Sequence, residues 1–219
     1  MSTRACMLIH GFTGGPYELG PLADYLRKRG VLCTVPELPG HGGKLRELKR
    51  YTRADWIAKA LTEAEELVER CGPIDLVGFS MGGLLATYVA NRLPVRRLAL
   101  LGTPVIYISP GRMIRDIAER LAGSRTKDTP GKAGTPVRAV VEFMKLVKEI
   151  RPEFEQVSVP TLIVQGAEDH IVHPYSAKYI YEKISAPKEL LILPNSRHLL
   201  CFGEEADRLF GEVEQFLQY

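Results

Sequence analysis

The sequence is sparing with cysteine. Only Cys6, Cys33, Cys71 and Cys201 occur in 219 residues, far apart, with no Cys-x-x-Cys pair and no histidine at zinc-ligand spacing. Short-spaced metal sites are therefore not indicated, and the thiols read as structural. Cys6 and Cys33 fall inside apolar runs, where cysteine behaves as a small hydrophobe. No apolar stretch approaches the roughly 20 residues that cross a bilayer, and the run 5–9 is too short for a signal-peptide core. The expectation is a soluble, cytoplasmic protein with no integral membrane segment. An excess of one charge is also missing: Lys+Arg 29 against Asp+Glu 26 leaves a net charge of +3, too little to indicate a nucleic-acid partner. Neither internal repeats nor low-complexity tracts are found.

What is present is length and apolar content, 45% hydrophobic over 219 residues, enough for one domain spanning 1–219 with a sizeable core. Short runs rich in Val, Ile and Leu alternate with longer amphipathic stretches, which points to an α/β fold with a mostly parallel sheet of about six or seven strands and helices on both faces. Strands are expected at 5–9, 31–36, 74–79, 97–102, 161–166 and 189–193. Helices are expected at 16–29, 53–70, 81–92, 175–183 and 204–217. Thr52 with Asp55 has the form of a capping box, Pro16 suits a first helical position, and Glu204 with Glu205 favours a helix N-terminus electrostatically.

The gap between Gly102 and Thr161 exceeds a simple crossover, which needs roughly a dozen residues. A small helical cap insertion is expected at about 105–157. Met113, Ile114, Ile117 and Leu121 mark one amphipathic helix in it, and Val140, Phe143, Met144, Val147 and Ile150 mark a second; a loop rich in Gly, Pro, Thr and Lys lies between. Residues 109–150 carry nine basic and five acidic side chains. The apolar stripes suit the roof of an acyl pocket or ordinary packing. The basic excess suits weak contact with an anionic lipid surface, or simply a solvated face.

Chemistry is concentrated in Gly78-Phe79-Ser80-Met81-Gly82, followed by Gly83, between an apolar strand and a helical pattern. A serine on such a strand-to-helix turn stands above the sheet, and its flanking positions must be glycine because side chains there meet the neighbouring strand and helix. A serine hydroxyl is a weak nucleophile near neutral pH and needs a base held by a third group. In strand–nucleophile–helix folds of this kind the chain order is Ser, acid, His. His198, after the last expected strand, is the candidate base. His10 and His41 precede Ser80, and His170 and His173 share a loop with the candidate acid. That acid is Asp169, with Glu168 as competitor. The turn His10-Gly11-Phe12-Thr13-Gly14-Gly15 is expected to aim the Phe12 N–H at the site as one oxyanion donor, with the Met81 N–H as the other.

Taken in order, His10-Gly11-Phe12, Pro39-Gly40-His41-Gly42, Gly78-Phe79-Ser80-Met81-Gly82-Gly83, Gly166-x-x-Asp169 and His198 resemble the bacterial carboxylesterase and monoacylglycerol lipase family of the α/β-hydrolase superfamily, over nearly the whole chain. The resemblance implies the α/β-hydrolase fold, a helical cap, hydrolysis of carboxylic esters or monoglycerides through an acyl-enzyme, and Phe12 and Met81 as oxyanion donors. The family's usual first two strands have no evident counterpart, so the sheet is expected to be short at one edge. One glycine after His10, rather than three, points to the smaller-acyl or monoglyceride branch.

The reading is thus a serine esterase on short- to medium-chain acyl esters or monoacylglycerols, with catalytic Ser80, Asp169 and His198. It requires no metal or organic cofactor, a small-molecule ester as partner, and a monomer or weak homodimer. Serine at position 80 sets aside dehalogenases and epoxide hydrolases, which use an aspartate there. Thioesterase, carbon–carbon bond hydrolase and a non-catalytic ligand-binding homologue stay open.

Overall fold

A computed structural model describes residues 4–105 and 135–218. Within them lies a six-stranded, all-parallel sheet in the order β2-β1-β3-β4-β5-β6. The strands are β1 (Ala5–Ile9), β2 (Leu32–Thr34), β3 (Ile74–Phe79), β4 (Val95–Leu101), β5 (Thr161–Gly166) and β6 (Lys188–Leu193). The helices are α1 (Gly20–Arg27), α2 (Arg53–Cys71), α3 (Met81–Ala90), α4 (Val137–Ile150), α5 (Tyr175–Lys183) and α6 (Ala206–Gln218).

The inner strands β1, β3, β4 and β5 are apolar on both faces because two cores flank the sheet, whereas the edge strands β2 and β6 leave Leu32, Leu190 and Ile192 exposed. Met7 and Ile9 of β1, Leu76 of β3 and Leu98 and Leu100 of β4 join Trp56, Leu84 and Phe143 in one core. Alternate residues Cys6, Leu8, Val77, Phe79, Ala99 and Leu101 join Leu22, Phe210 and Phe216 in the other. The period-two alternation of strand side chains thus divides each continuous inner run between two helical layers.

Departures from the sequence reading have local causes. β2 keeps only the three residues in register with Ala5, Cys6 and Met7; the next positions lead into Pro36, which has no N–H to donate to a ladder. The helix expected over 16–29 divides into a 3-10 turn, Pro16–Glu18, and α1. Pro21 sits in the first turn of α1, where it is tolerated, but it has no N–H to donate to the Tyr17 carbonyl, so one continuous helix cannot run through it. The last helix starts at Ala206 rather than 204, after a short 3-10 turn at Leu200–Phe202. β4 begins two residues earlier than expected, and its register shifts so that Ile74 and Asp75 pair with Val95 and Arg97, skipping Arg96.

The capping box at α2 is formed: the Asp55 carboxylate accepts the Thr52 N–H at 2.7 Å and the Thr52 hydroxyl at 2.8 Å. Cys6 and Cys33 are register partners in β1 and β2, both buried and both free thiols.

Of the expected insertion, α4 corresponds to the second amphipathic stripe, and the first stripe at 113–121 lies outside the described residues, as do most of the intervening loop and many of the basic side chains counted over 109–150. Buried Glu142 of α4 accepts from Arg53 Nη1 at 3.0 Å and Lys145 Nζ at 2.8 Å, which fastens this helix to the start of α2. Its hydrogen bond to Lys145, aided by Arg53, brings the Glu142 carboxyl down to about 2. Among the described residues, no helix is long and apolar enough to cross a membrane.

Candidate active site

The carboxyl ends of β1, β3, β4, β5 and β6 deliver the chemically interesting residues to one rim of the sheet. β3 ends at Phe79, and Ser80 turns the chain into α3 with φ 51 and ψ −120. A non-glycine residue in the left-handed region is strained and persists only where its surroundings hold it. Here they do. A Cβ on Gly78 would lie 2.4 Å from the Gly82 carbonyl oxygen, one on Gly82 would lie 1.9 Å from the Ile9 carbonyl oxygen, and one on Gly83 would lie 1.9 Å from Thr103 Oγ1. The Ser80 N–H donates to Leu101 O at 2.8 Å, tying the turn to β4.

His198, in the loop between β6 and α6, brings Nε2 to 3.1 Å from Ser80 Oγ and Nδ1 to 2.7 Å from Asp169 Oδ2. All three side chains are buried. The loop is held by Glu205, whose Oε2 accepts from the Asn195 N–H at 2.9 Å and from Ser196 Oγ at 2.8 Å. Asp169 follows β5; its Oδ1 accepts the Ile171 and Val172 N–H groups at 2.8 and 2.9 Å. Burial pushes this carboxyl up, but the His198 hydrogen bond and charge and the two backbone donors outweigh burial and leave it below the ordinary aspartate range. An ionised Asp169 then makes Nδ1 the protonated nitrogen of His198 and leaves the Nε2 lone pair facing Ser80.

Of the competing residues, Glu168 is exposed and lies 3.8 Å from Arg197 Nε. His10 and His41 are buried elsewhere. His10 Nε2 accepts the Leu38 N–H at 3.1 Å, so Nδ1 carries the proton donated to Gly11 O at 2.9 Å. His41 Nδ1 lies 3.1 Å from Pro39 O. Both are structural clips for the turns that carry them. His170 and His173 are exposed, and His173 Nδ1 accepts the Tyr175 N–H at 3.1 Å.

Burial brings both His10 and His41 down to about 4, against their backbone hydrogen bonds. A histidine neutral in the fold but titrating near 6.5 when unfolded contributes stability above that value, lost as pH falls toward the folded value. From about pH 7 to about pH 5 each should remove roughly 2 kcal/mol. Thermal unfolding should therefore show a falling Tm across this window, and His41→Gln a shallower fall. A Tm independent of pH over that interval in the unsubstituted protein would contradict the assignment.

The turn after β1 lies against Ser80: a Cβ on Gly11 would sit 3.2 Å from Ser80 Cβ. Phe12, the next residue, stacks its ring on Phe143 of α4, centroids 4.7 Å apart and 16° between planes, and meets Trp56 edge-on at 5.7 Å. Phe143 and Val147, a stripe compatible with an acyl roof, are packed into the core with Phe12. Among the described residues, neither the Phe12 nor the Met81 backbone N–H donates to a protein acceptor.

Two neighbours of the site escaped the sequence reading. Gln165, buried at the end of β5, donates from Nε2 to Asp169 Oδ2 at 3.0 Å. Its signal was a single amide in an otherwise apolar strand. Glu18 is buried with its Oε2 accepting the Gly11 N–H at 2.9 Å; read as part of a continuous helix, it had no distinguishing signal. No group of three or more His, Cys, Asp or Glu among the described residues has metal-holding geometry.

Comparison with known proteins agrees with this architecture. A family model described as "Alpha/beta hydrolase family" matches residues 6–212. The chain is 32% identical to the thermostable monoacylglycerol lipase of Bacillus sp. (strain H-257) over 225 residues, covering 97% of this chain and 88% of that one. It is 26% identical to a carboxylesterase of Bacillus subtilis (strain 168), covering 98% and 92%. A solved structure from work on two metagenome-derived lipolytic enzymes superposes with a TM-score of 0.86 at 27% identity, covering 99% of this chain and 94% of that one. By the match of nearly its whole length, the chain belongs to the alpha/beta hydrolase family.

Proposed function

We propose that this carboxylic ester hydrolase works as a serine esterase in which Ser80 is the nucleophile, His198 the general base and acid, and Asp169 the group that orients His198. The observation that carries the reading is the unbroken chain of hydrogen bonds from Asp169 Oδ2 through the imidazole to Ser80 Oγ, 2.7 and 3.1 Å. In this mechanism Ser80 Oγ attacks the ester carbonyl carbon while its proton passes to His198 Nε2. The carbonyl oxygen becomes an oxyanion facing the Phe12 and Met81 N–H groups, each such donor being worth about 10²–10³ in turnover. The tetrahedral adduct expels the alcohol, which takes the proton from His198, and leaves an acyl group on Ser80. Water then gives a proton to His198 and attacks the acyl carbon. Ser80 Oγ leaves, recovers that proton, and the carboxylic acid departs.

Short- to medium-chain esters and monoacylglycerols are the proposed substrates; the names of the two Bacillus relatives support carboxylic esters and monoacylglycerols as the class. Residues 105–157 are proposed as a cap over a single domain. A panel of p-nitrophenyl esters and monoacylglycerols of rising chain length, set against an acyl-CoA and a β-diketone, tests the assignment. Highest kcat/KM on an oxygen ester is expected. Preference for the thioester, or cleavage of the diketone carbon–carbon bond, would replace the reading with one of those reactions.

A further inference from the structure

A buried carboxylate that the mechanism above does not use lies directly behind the oxyanion turn. Glu18 is 6% exposed although it sits in a surface connection, the 3-10 turn Pro16–Glu18. Its Oε2 accepts the Gly11 N–H at 2.9 Å. The carboxylate also fills the place that a side chain on Gly14 would take: a Cβ there would fall 2.0–2.2 Å from Glu18 Cδ and both carboxylate oxygens. The chain from Gly11 to Gly14 therefore curls around this group. Gly11 lies close to both Glu18 and the nucleophile, since a Cβ on it would stand 3.2 Å from Glu18 Oε2 and 3.2 Å from Ser80 Cβ.

The curl is a strained one. Thr13, inside it, has φ 63, and Thr13 and Ser80 are the two non-glycine residues with positive φ among the described residues. A turn with a residue in the left-handed region holds its shape only if neighbouring contacts impose it. Phe12 is fixed from one side through its ring, stacked on Phe143 and edge-on to Trp56. Its N–H lies in the Gly11–Phe12 peptide, whose carbonyl accepts from His10 Nδ1 at 2.9 Å, and the peptide before that one, carrying the Gly11 N–H, is held by Glu18.

We infer that Glu18 is a positioning residue for the oxyanion donor: by holding the Gly11 N–H while His10 holds the Gly11 carbonyl, it fixes Gly11 at both of its peptides so that the Phe12 N–H faces the carbonyl attacked by Ser80. This rests on the proposed roles of Ser80 and Phe12. Glu18 acts through the backbone and touches no substrate. Because a preorganised donor is worth far more to the transition state than to the ground state, its loss appears in kcat and leaves KM nearly unmoved.

The test compares Glu18→Ala, Glu18→Gln and Glu18→Asp with the unsubstituted enzyme, each titrated with a fluorophosphonate so that rates refer to competent sites. For Glu18→Ala, kcat on a p-nitrophenyl ester should fall about 10²-fold, with KM little changed. Inhibition by phenylboronic acid, which forms a tetrahedral adduct on the serine, should weaken by a similar factor. Glu18→Gln keeps an oxygen that accepts the Gly11 N–H and should recover most of the loss. Glu18→Asp, one methylene short, should fall between them. If the alanine variant does not fold, the Gln and Asp variants carry the same comparison. An unchanged kcat per titrated site, or boronate inhibition unchanged while kcat falls, would overturn the inference. Failure of the unsubstituted enzyme to react with fluorophosphonate would instead overturn the reading of Ser80.

Discussion

Replacing Ser80 with alanine should lower kcat on a p-nitrophenyl ester by about 10⁶, the loss found when a triad serine is removed, while the fold survives. The two halves of that expectation have separate grounds. The steric demands of the turn fall on its glycines, where a Cβ at Gly78, Gly82 or Gly83 would overlap the backbone or Thr103; Ser80 itself already carries a Cβ, so alanine removes only the hydroxyl. The hydroxyl's described side-chain partner is His198 Nε2. The variant should unfold at a temperature close to that of the unsubstituted protein, because the backbone and Cβ contacts that hold the turn are unchanged. A folded Ser80→Ala enzyme that still turns over ester within tenfold of normal would remove the nucleophile from the account.

The second large effect is expected at Asp169. In Asp169→Asn the acceptors of the Ile171 and Val172 N–H groups can be kept by the amide oxygen, so the loop should hold its shape. The amide nitrogen then occupies the place of Oδ2, facing His198 Nδ1 and Gln165 Nε2. A donor in that place makes Nδ1 an acceptor and moves the imidazole proton to Nε2, where it points at Ser80 Oγ and blocks proton removal. Turnover should fall by about 10⁴ with the wrong tautomer in place. Measured kcat within tenfold of normal in the folded variant would reassign the acid, and Glu168→Gln would be examined next, although Glu168 is exposed.

The parallel sheet and the residues of the hydrogen-bonded chain were legible because each has a local cause. Continuous apolar runs identify strands covered on both faces, and the glycines around Ser80 are required by contacts that any strand-to-helix turn of this kind makes. Asp169 and His198 follow from the order in which late strands reach the rim. Boundaries were less legible where one residue decides them: Pro21 divides a helix that periodicity alone leaves whole, and Arg96 is skipped in the β3–β4 ladder. Glu18 and Gln165 were invisible as parts of the site for a different reason. Their partners, the Gly11 N–H and the Asp169 carboxylate, are set by how the loops fold back, and no periodicity or spacing encodes a side chain turned inward from a short 3-10 turn. Glu205 is intermediate: it was expected in the first turn of the last helix for electrostatic reasons, and it instead precedes that helix and holds the loop bearing His198.

The central claim is that one hydroxyl, activated by His198, takes the acyl group. Reaction of the intact protein with a fluorophosphonate, followed by proteolysis and mass spectrometry, tests it most directly. One adduct per chain is expected, on the peptide containing Ser80, formed in step with loss of esterase activity. An adduct on a different residue, or full activity with Ser80 labelled, would contradict it.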